Sequence, residues 1–252
     1  MKYRKWGLLA FCLLLTACHT GRKPTGEKTT VISPVETIAT TEETQSPVIE
    51  KSRIALYLDS LGLINIQSAD SSIAVKLLYA TPENFTGELL YEDLKDAYLH
   101  PDALKSLLRA QQLLKEKHPG YSLIVYDAAR PMSVQKKMWN VVKGTSKSIY
   151  VSNPSRGGGL HNYGLAVDIS IQDSLGQPLP MGTKVDHLGM EAHITDEIGL
   201  VHNGKMSETE RQNRLLLRKV MKEAGFRALP SEWWHFNFCS RDVAKQKYKL
   251  IP

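Results

Sequence analysis

An aspartate inside an apolar run constrains the fold of this chain more than any other sequence feature. Asp168 lies between Val167 and Ile169, in a stretch whose composition predicts a strand over residues 165–171. A buried carboxylate is costly unless something positive compensates it. Because a core strand offers no water to Asp168, the fold must bring a compensating group to this side chain.

Two histidines, distant from each other in the chain, are the candidates for that compensation. His161 lies in a glycine-rich turn seven residues before Asp168, and His235 follows Glu232-Trp233-Trp234 near the end of the chain. An imidazole and a carboxylate, with a third ligand from elsewhere, commonly hold a catalytic zinc ion with one position open. We therefore expect His161, Asp168 and His235 to be the three protein ligands of one zinc ion.

The net charge of such a site indicates hydrolytic chemistry. Two neutral imidazoles and one carboxylate leave a divalent ion with positive charge, which polarises a carbonyl group and lowers the pKa of bound water toward ~7. Glu232 is the candidate general base, which takes the water proton and passes it to a leaving amine. Arg130 is the candidate cation for the oxyanion, a contribution of roughly 3–4 kcal/mol. The alternative for Arg130 is a turn salt bridge with Asp127.

The spacing of Glu232 and His235 makes a geometric demand on the last strand. Residues three apart on a regular strand point to opposite faces, so Glu232 would face away from His235. The turn at Pro230-Ser231 must reorient Glu232, or a bulge must intervene.

The N-terminus predicts a lipid-anchored protein. A charged start, an apolar run over residues 6–15 and a small-residue cleavage site predict a signal peptide over residues 1–17. The run is too short to cross a bilayer of about 30 Å. Leu15-Thr16-Ala17-Cys18 resembles a bacterial lipobox, so Cys18 is expected to carry lipid and to hold the protein in the cell envelope, facing the periplasm or the exterior. An ordinary signal peptide with an incidental cysteine is the alternative.

Composition divides the rest of the chain and excludes some partners. Residues 18–49 are rich in Thr, Pro, Glu and Ser and predict a flexible tether, whereas residues 50–252 have a globular composition. Signal cleavage removes Lys2, Arg4 and Lys5, which lowers the formal charge from +6 to +3. This is an ordinary solubility charge, so no nucleic-acid partner is expected. Cys239 is the one cysteine left in the domain, which must therefore depend on its core.

The order of the predicted elements favours a single α+β domain with a small antiparallel sheet flanked by helices. Helices are predicted over residues 101–117 and 133–142 and after the capping box at Ser207. Strands are predicted over residues 73–79, 121–126, 165–171 and 233–238. Helices and strands do not alternate strictly, which argues against a doubly wound sheet. Residues 172–206 lack periodicity, and we expect an active-site wall or lid there.

Taken together, these motifs resemble a known family. His-x6-Asp joined to Glu-x-x-His, with Asp127-Ala-Ala-Arg130-Pro131 and Met181-Gly182-Thr183, is similar to the VanX-type D-alanyl-D-alanine dipeptidases, zinc peptidases with a hedgehog-like fold. The resemblance implies zinc on the three ligands, Glu232 as base, Arg130 as transition-state contact and a closed pocket for free dipeptides. It also implies that Asp186 holds the substrate ammonium; a solvated loop charge is the alternative. The family often has serine where this chain has Gly159.

Two other functions fit the same ligand set. A D,D-carboxypeptidase or peptidoglycan endopeptidase would use the same metal chemistry but needs an open groove. A zinc-stabilised binding protein would keep the metal without the reaction, although such a protein has no use for Glu232 as a buried base. We assign no metal to the three histidines of the irregular segment, His187, His193 and His202.

Overall fold

The structure, a computed structural model, describes residues 51–252. The predicted signal peptide over residues 1–17, the lipidated Cys18 and the tether over residues 18–49 lie outside these residues and stay predictions. Among the described helices, none has the length and apolar character needed to cross a bilayer.

Helices and strands of the described part are mixed along the chain. The helices are α1 (Arg53–Ser60), α2 (Ile66–Ala69), α3 (Pro101–Lys117), α4 (Met132–Val142), α5 (Glu197–His202), α6 (Glu208–Glu223) and α7 (Arg241–Lys247). The strands are β1 (Ile64–Asn65), β2 (Ala74–Val75), β3 (Tyr98–Leu99), β4 (Ser122–Asp127), β5 (Ala166–Gln172), β6 (Arg227–Leu229) and β7 (Glu232–Asn237). The predicted helices and the strands predicted over residues 121–126, 165–171 and 233–238 are present, with ends shifted by a few residues at most.

A five-stranded sheet of order β2-β4-β5-β7-β6 organises the domain. The β2–β4 pair is parallel, and the other neighbours are antiparallel. Strands β1 and β3 form a separate antiparallel pair. The α+β class with a small, mostly antiparallel sheet and flanking helices is therefore confirmed.

The long helices bury the apolar face of this sheet. Helix α3 begins at Pro101 behind the N-cap His100, and α6 begins with the predicted capping box of Ser207 and Glu210. Both helices contact each other and the sheet. Their buried apolar side chains each contribute about 1.5–3 kcal/mol relative to exposure. Along β5, the core residues Val167, Ile169 and Ile171 share one face, and Asp168 and Ser170 point to the opposite face.

The segment before the first long helix differs from its prediction. Its composition suggests one strand over residues 73–79, but the strand covers only Ala74–Val75, and a 3-10 helix follows at Leu78–Ala80. The apolar side chains Ile73, Leu77 and Tyr79 are nevertheless buried. Burial, and not strand pairing, therefore accounts for the apolar pattern there.

Candidate active site

The three predicted ligands converge at the open face of the sheet. Asp168 on β5 is the register partner of His235 on β7, and His161 lies in the 3-10 helix Leu160–Tyr163 that precedes β5. The His161 Nε2 atom is 3.1 Å from His235 Nδ1 and 3.3 Å from Asp168 Oδ1. His235 Nδ1 lies 3.0 Å from the same carboxylate oxygen. All three side chains are buried.

Hydrogen bonds on the outer side of each imidazole fix its tautomer. His161 Nδ1 donates to the carbonyl oxygen of Ala128 at 2.7 Å, and His235 Nε2 donates to Asn237 Oδ1 at 2.9 Å. Because both partners accept, the protons lie on these outer nitrogens. His161 therefore presents the Nε2 lone pair to the centre, and His235 presents the Nδ1 lone pair.

This arrangement fits a tetrahedral metal ion. Ligand bonds of about 2.0–2.1 Å place tetrahedral ligand atoms roughly 3.3–3.4 Å apart, close to the separations found here. Two lone pairs and a carboxylate oxygen converge with no proton between them, so a cation relieves their repulsion. Burial raises the pKa of Asp168, but positive charge beside the carboxylate outweighs burial and holds that pKa below its usual range, so Asp168 is ionised. The donor set, one carboxylate and two imidazoles, is typical of catalytic zinc.

A register irregularity solves the geometric problem posed by Glu232. Between the pairs Ala228–Phe236 and Leu229–Glu232, strand β6 advances by one residue while β7 advances by four. The irregularity lets Glu232 approach His235, with Glu232 Oε2 3.9 Å from His235 Nδ1. Burial raises the pKa of Glu232 to about 7, against the opposing charge of His235. A buried carboxylate beside a candidate metal site is placed to exchange a proton with water bound there.

Arg130 lies in the site and is also paired with Asp127. Its Nε donates to Asp127 Oδ2 at 2.8 Å, and its Nη1 donates to Gln135 Oε1 at 2.9 Å. The guanidinium lies over the Tyr79 ring, 5.1 Å from the centroid, and its Nη2 is 3.6 Å from Asp168 Oδ2. The turn salt bridge therefore exists, and it holds the guanidinium beside the candidate metal ligand Asp168.

Two buried amides, Asn162 and Gln135, join the segments around Arg130 by hydrogen bonds. The sequence alone assigned no role to either of them. The Asn162 Nδ2 group donates to the carbonyl of Arg130, and the backbone N–H of Arg130 donates to the carbonyl of His161. The Gln135 Nε2 group donates to the carbonyl of Ser152. Both amides are fully buried, yet nothing in the local sequence separates them from ordinary turn or helix residues. Their partners lie 32 and 17 residues away along the chain.

Asp186 is a strained, partly buried wall residue and not a solvated loop charge. It is the one non-glycine residue of the described part with a positive φ, at 70°. Its carboxylate accepts hydrogen bonds from the Tyr79 hydroxyl at 2.8 Å and from the backbone N–H of Phe85 at 3.0 Å. Burial raises the pKa of Asp186 to about 6, against these hydrogen bonds. The cost of such strain is commonly tolerated at functional sites.

The space left by Gly159 is filled by another side chain. A Cβ atom built on Gly159 would lie only 2.8 Å from Ser152 Oγ. Both residues line the cavity next to the metal ligands. Ser152 therefore places a hydroxyl group where a side chain at position 159 would otherwise stand.

The site residues surround a cavity of about 340 Å³. Its wall includes the three ligands, Glu232, Arg130 and Asp186, together with residues from the segments 150–152 and 186–188. The predicted irregular segment 172–206 thus supplies part of the cavity wall. His187 Nε2 lies 3.4 Å from Glu191 Oε2. His193 Nε2 is hydrogen-bonded to the Tyr150 hydroxyl. Neither belongs to the group of candidate metal ligands, nor does His202.

Comparisons with known proteins agree with this geometry. The family described as D-ala-D-ala dipeptidase, of the M15 peptidases, matches residues 59–251. The chain belongs to this family. The match to the D-ala-D-ala dipeptidase family covers every candidate site residue of the described part, including those of the irregular segment.

Three relatives carry the name D-alanyl-D-alanine dipeptidase. The protein from Escherichia coli K12 is 29% identical over 178 residues, which is 71% of this chain and 85% of the relative. The protein from Enterococcus faecium is 30% identical over 175 residues, 63% of this chain and 82% of the relative. The protein from Synechocystis is 28% identical over 176 residues, 58% of this chain and 71% of the relative. Membership in this dipeptidase family makes the chain a peptidase.

Proposed function

We propose that this chain hydrolyses D-Ala-D-Ala, or a closely related free dipeptide, at a single zinc ion held by His161, Asp168 and His235. The observation that carries the proposal is the convergence of three ligand atoms within 3.3 Å of one another, beside a buried glutamate with a raised pKa. Family membership and the names of the relatives support the substrate.

The zinc ion would supply Lewis acidity, which polarises the scissile carbonyl and acidifies water. The residues of the chain carry the remaining work. Glu232 takes a proton from the attacking water and delivers it to the nitrogen of the leaving amino acid. The Arg130 guanidinium, fixed by Asp127 and Gln135, stabilises negative charge on the carbonyl oxygen as the tetrahedral species forms. Asp186 pairs with the ammonium of the dipeptide.

The small volume of the cavity favours a dipeptide over a cross-linked wall polymer. A volume of about 340 Å³ is at the small end of ligand pockets, and the segments 150–152 and 186–188 wall it. A peptidoglycan endopeptidase needs a groove that is open at both ends. We therefore place free dipeptides ahead of stem peptides.

The setting of the reaction is a second part of the proposal. The lipobox-like Leu15-Thr16-Ala17-Cys18 supports a lipid anchor on Cys18, with the domain held outside the cytoplasmic membrane. Metabolic labelling with a palmitate analogue, compared between the native chain and Cys18→Ser, tests the anchor. Label that persists in the variant would contradict it.

A substrate panel tests the reaction. The purified domain, stripped of metal and then given one equivalent of zinc, should release free alanine from D-Ala-D-Ala. L-Ala-L-Ala, a mixed-chirality dipeptide and a muropeptide serve as comparisons. If D-Ala-D-Ala stays intact while another substrate is cleaved, the substrate is wrong; if no substrate is cleaved, the enzymatic proposal fails.

A further inference from the structure

A hydrogen bond joins two walls of the active-site cavity. One wall is the segment 150–152, which we call the front segment. The other wall includes Asp186 and Leu188 and belongs to the segment 186–194, which we call the rear segment. The Tyr150 hydroxyl lies 2.9 Å from His193 Nε2. Their rings meet edge to face, with centroids 5.8 Å apart. Tyr150 itself lines the cavity.

The rear segment is held firmly by the rest of the domain. The buried Arg214 donates from Nη2 to the carbonyl of Glu191 at 3.0 Å. The backbone N–H of Ile194 donates to the carbonyl of Pro230 at 3.0 Å, which joins this segment to the β6–β7 turn. Ala192 is fully buried between these two contacts. His193 therefore projects from a fixed support.

The front segment is held less firmly on the side that leads into Tyr150. The 3-10 helix Ser146–Tyr150 contains no buried residue, and Ile149 is 73% exposed. The segment regains support only at Val151, which is buried, and at Ser152, whose carbonyl accepts from Gln135. The contact with His193 is thus what ties the exposed half of this wall to the fixed one.

We propose that the Tyr150–His193 contact sets the length of peptide that the cavity accepts, an inference that rests on the proposed dipeptidase function. A free dipeptide lies wholly between the two walls. We expect a longer peptide to extend past Tyr150, which lines the cavity and is held in place by His193. The pair is therefore a specificity determinant and not part of the reacting machinery.

Selectivity measurements on two variants test this role. Tyr150→Phe removes one hydroxyl and keeps the ring, and His193→Ala removes the partner. The substrates are D-Ala-D-Ala and two tripeptides, one extended at the amino end and one at the carboxyl end. We expect the ratio of kcat/KM for an extended peptide to kcat/KM for the dipeptide to rise about tenfold or more in each variant. The double variant should show less than the product of the two effects.

His202→Ala is the matched control, because His202 is an exposed histidine that does not line the cavity. It should leave the selectivity ratio unchanged. The inference is overturned if neither variant raises the ratio for either tripeptide, or if turnover of both peptide lengths falls together. Tyr150→Phe keeps the test decisive even if His193→Ala fails to fold. Failure of the proposed function is distinguishable, since the native chain would then not cleave the dipeptide.

Discussion

Asp168 and His235 are register partners on neighbouring antiparallel strands, and Asp168 Oδ1 lies 3.0 Å from His235 Nδ1. The sheet itself therefore sets the distance between two of the three candidate metal ligands. A site built on paired strands is held more rigidly than one built on loops. His161 completes it from the turn before β5, where its outer nitrogen is held by the carbonyl of Ala128.

The hydrogen bond from His235 to Asn237 should govern metal affinity. Asn237→Ala removes the acceptor that fixes the His235 tautomer, and we expect zinc affinity to fall about 10- to 100-fold. Competition with a chromophoric chelator measures this change. Asn140→Ala, which alters an exposed asparagine on α4, is the control and should bind zinc normally. Unchanged affinity in Asn237→Ala would show that the ring is held by other contacts.

Glu232→Gln should separate metal binding from turnover. The glutamine keeps the size of the side chain but cannot take a proton, so we expect kcat to fall roughly 10²- to 10⁴-fold. Zinc content, measured by atomic absorption, should stay at one per chain because Glu232 is not among the ligands. Substantial turnover in this variant would assign the base to another group.

The raised pKa of Asp186 should appear in the pH dependence of substrate binding. Below its pKa of about 6 the carboxyl is neutral and loses its attraction for the substrate ammonium. We expect kcat/KM of the native chain to fall as pH drops through this range. Asp186→Asn should raise KM about 10- to 100-fold at neutral pH, the order expected for a lost charge pair. Glu232, with a pKa of about 7, gives an acid limb of its own, so the slope of log kcat/KM below pH 6 should fall from about two in the native chain to about one in Asp186→Asn. An unchanged slope in the variant would exclude Asp186 as a source of the limb.

The same group makes a prediction about stability. Its folded pKa of about 6 lies above the ordinary value of 3.8, so the ionised form is disfavoured in the folded protein. The contribution of Asp186 to the free energy of unfolding is therefore fully present below about pH 4 and is lost as the pH rises through about 6. Asparagine tolerates the positive φ at this position and does not ionise. The Tm of Asp186→Asn relative to the native chain should therefore rise between pH 4 and pH 7, as thermal unfolding would show.

A side chain added at position 159 should clash with Ser152, because Ser152 occupies the space beside Gly159. Gly159→Ser alone brings a Cβ within 2.8 Å of Ser152 Oγ, so we expect lower Tm and weaker dipeptide turnover. Combining it with Ser152→Gly frees that space and should restore at least part of both. If the combined variant is no better than Gly159→Ser alone, the loss has another cause than crowding.

Much of the site could be predicted because its residues lie in short, recognisable patterns. The spacing of His161 and Asp168, the Glu232–His235 segment and the Arg130 turn each stand within a few residues of sequence. The helical spacing of leucines and the capping box at Ser207 likewise predict α3 and α6, because these signals are local. The strand predicted over residues 73–79 failed because an apolar run shows burial without showing backbone pairing.

By itself, then, the sequence determined which side chains carry the chemistry and which segments form the main helices and strands, since both are written in residue type and local period. Tertiary structure alone decided which nitrogen each histidine presents, how Glu232 turns toward His235, and that Ser152 occupies the space beside Gly159. Each of these depends on a hydrogen bond, a register shift or a contact. Their partners, such as Ala128 for His161, can lie 33 residues away, where no local pattern records them.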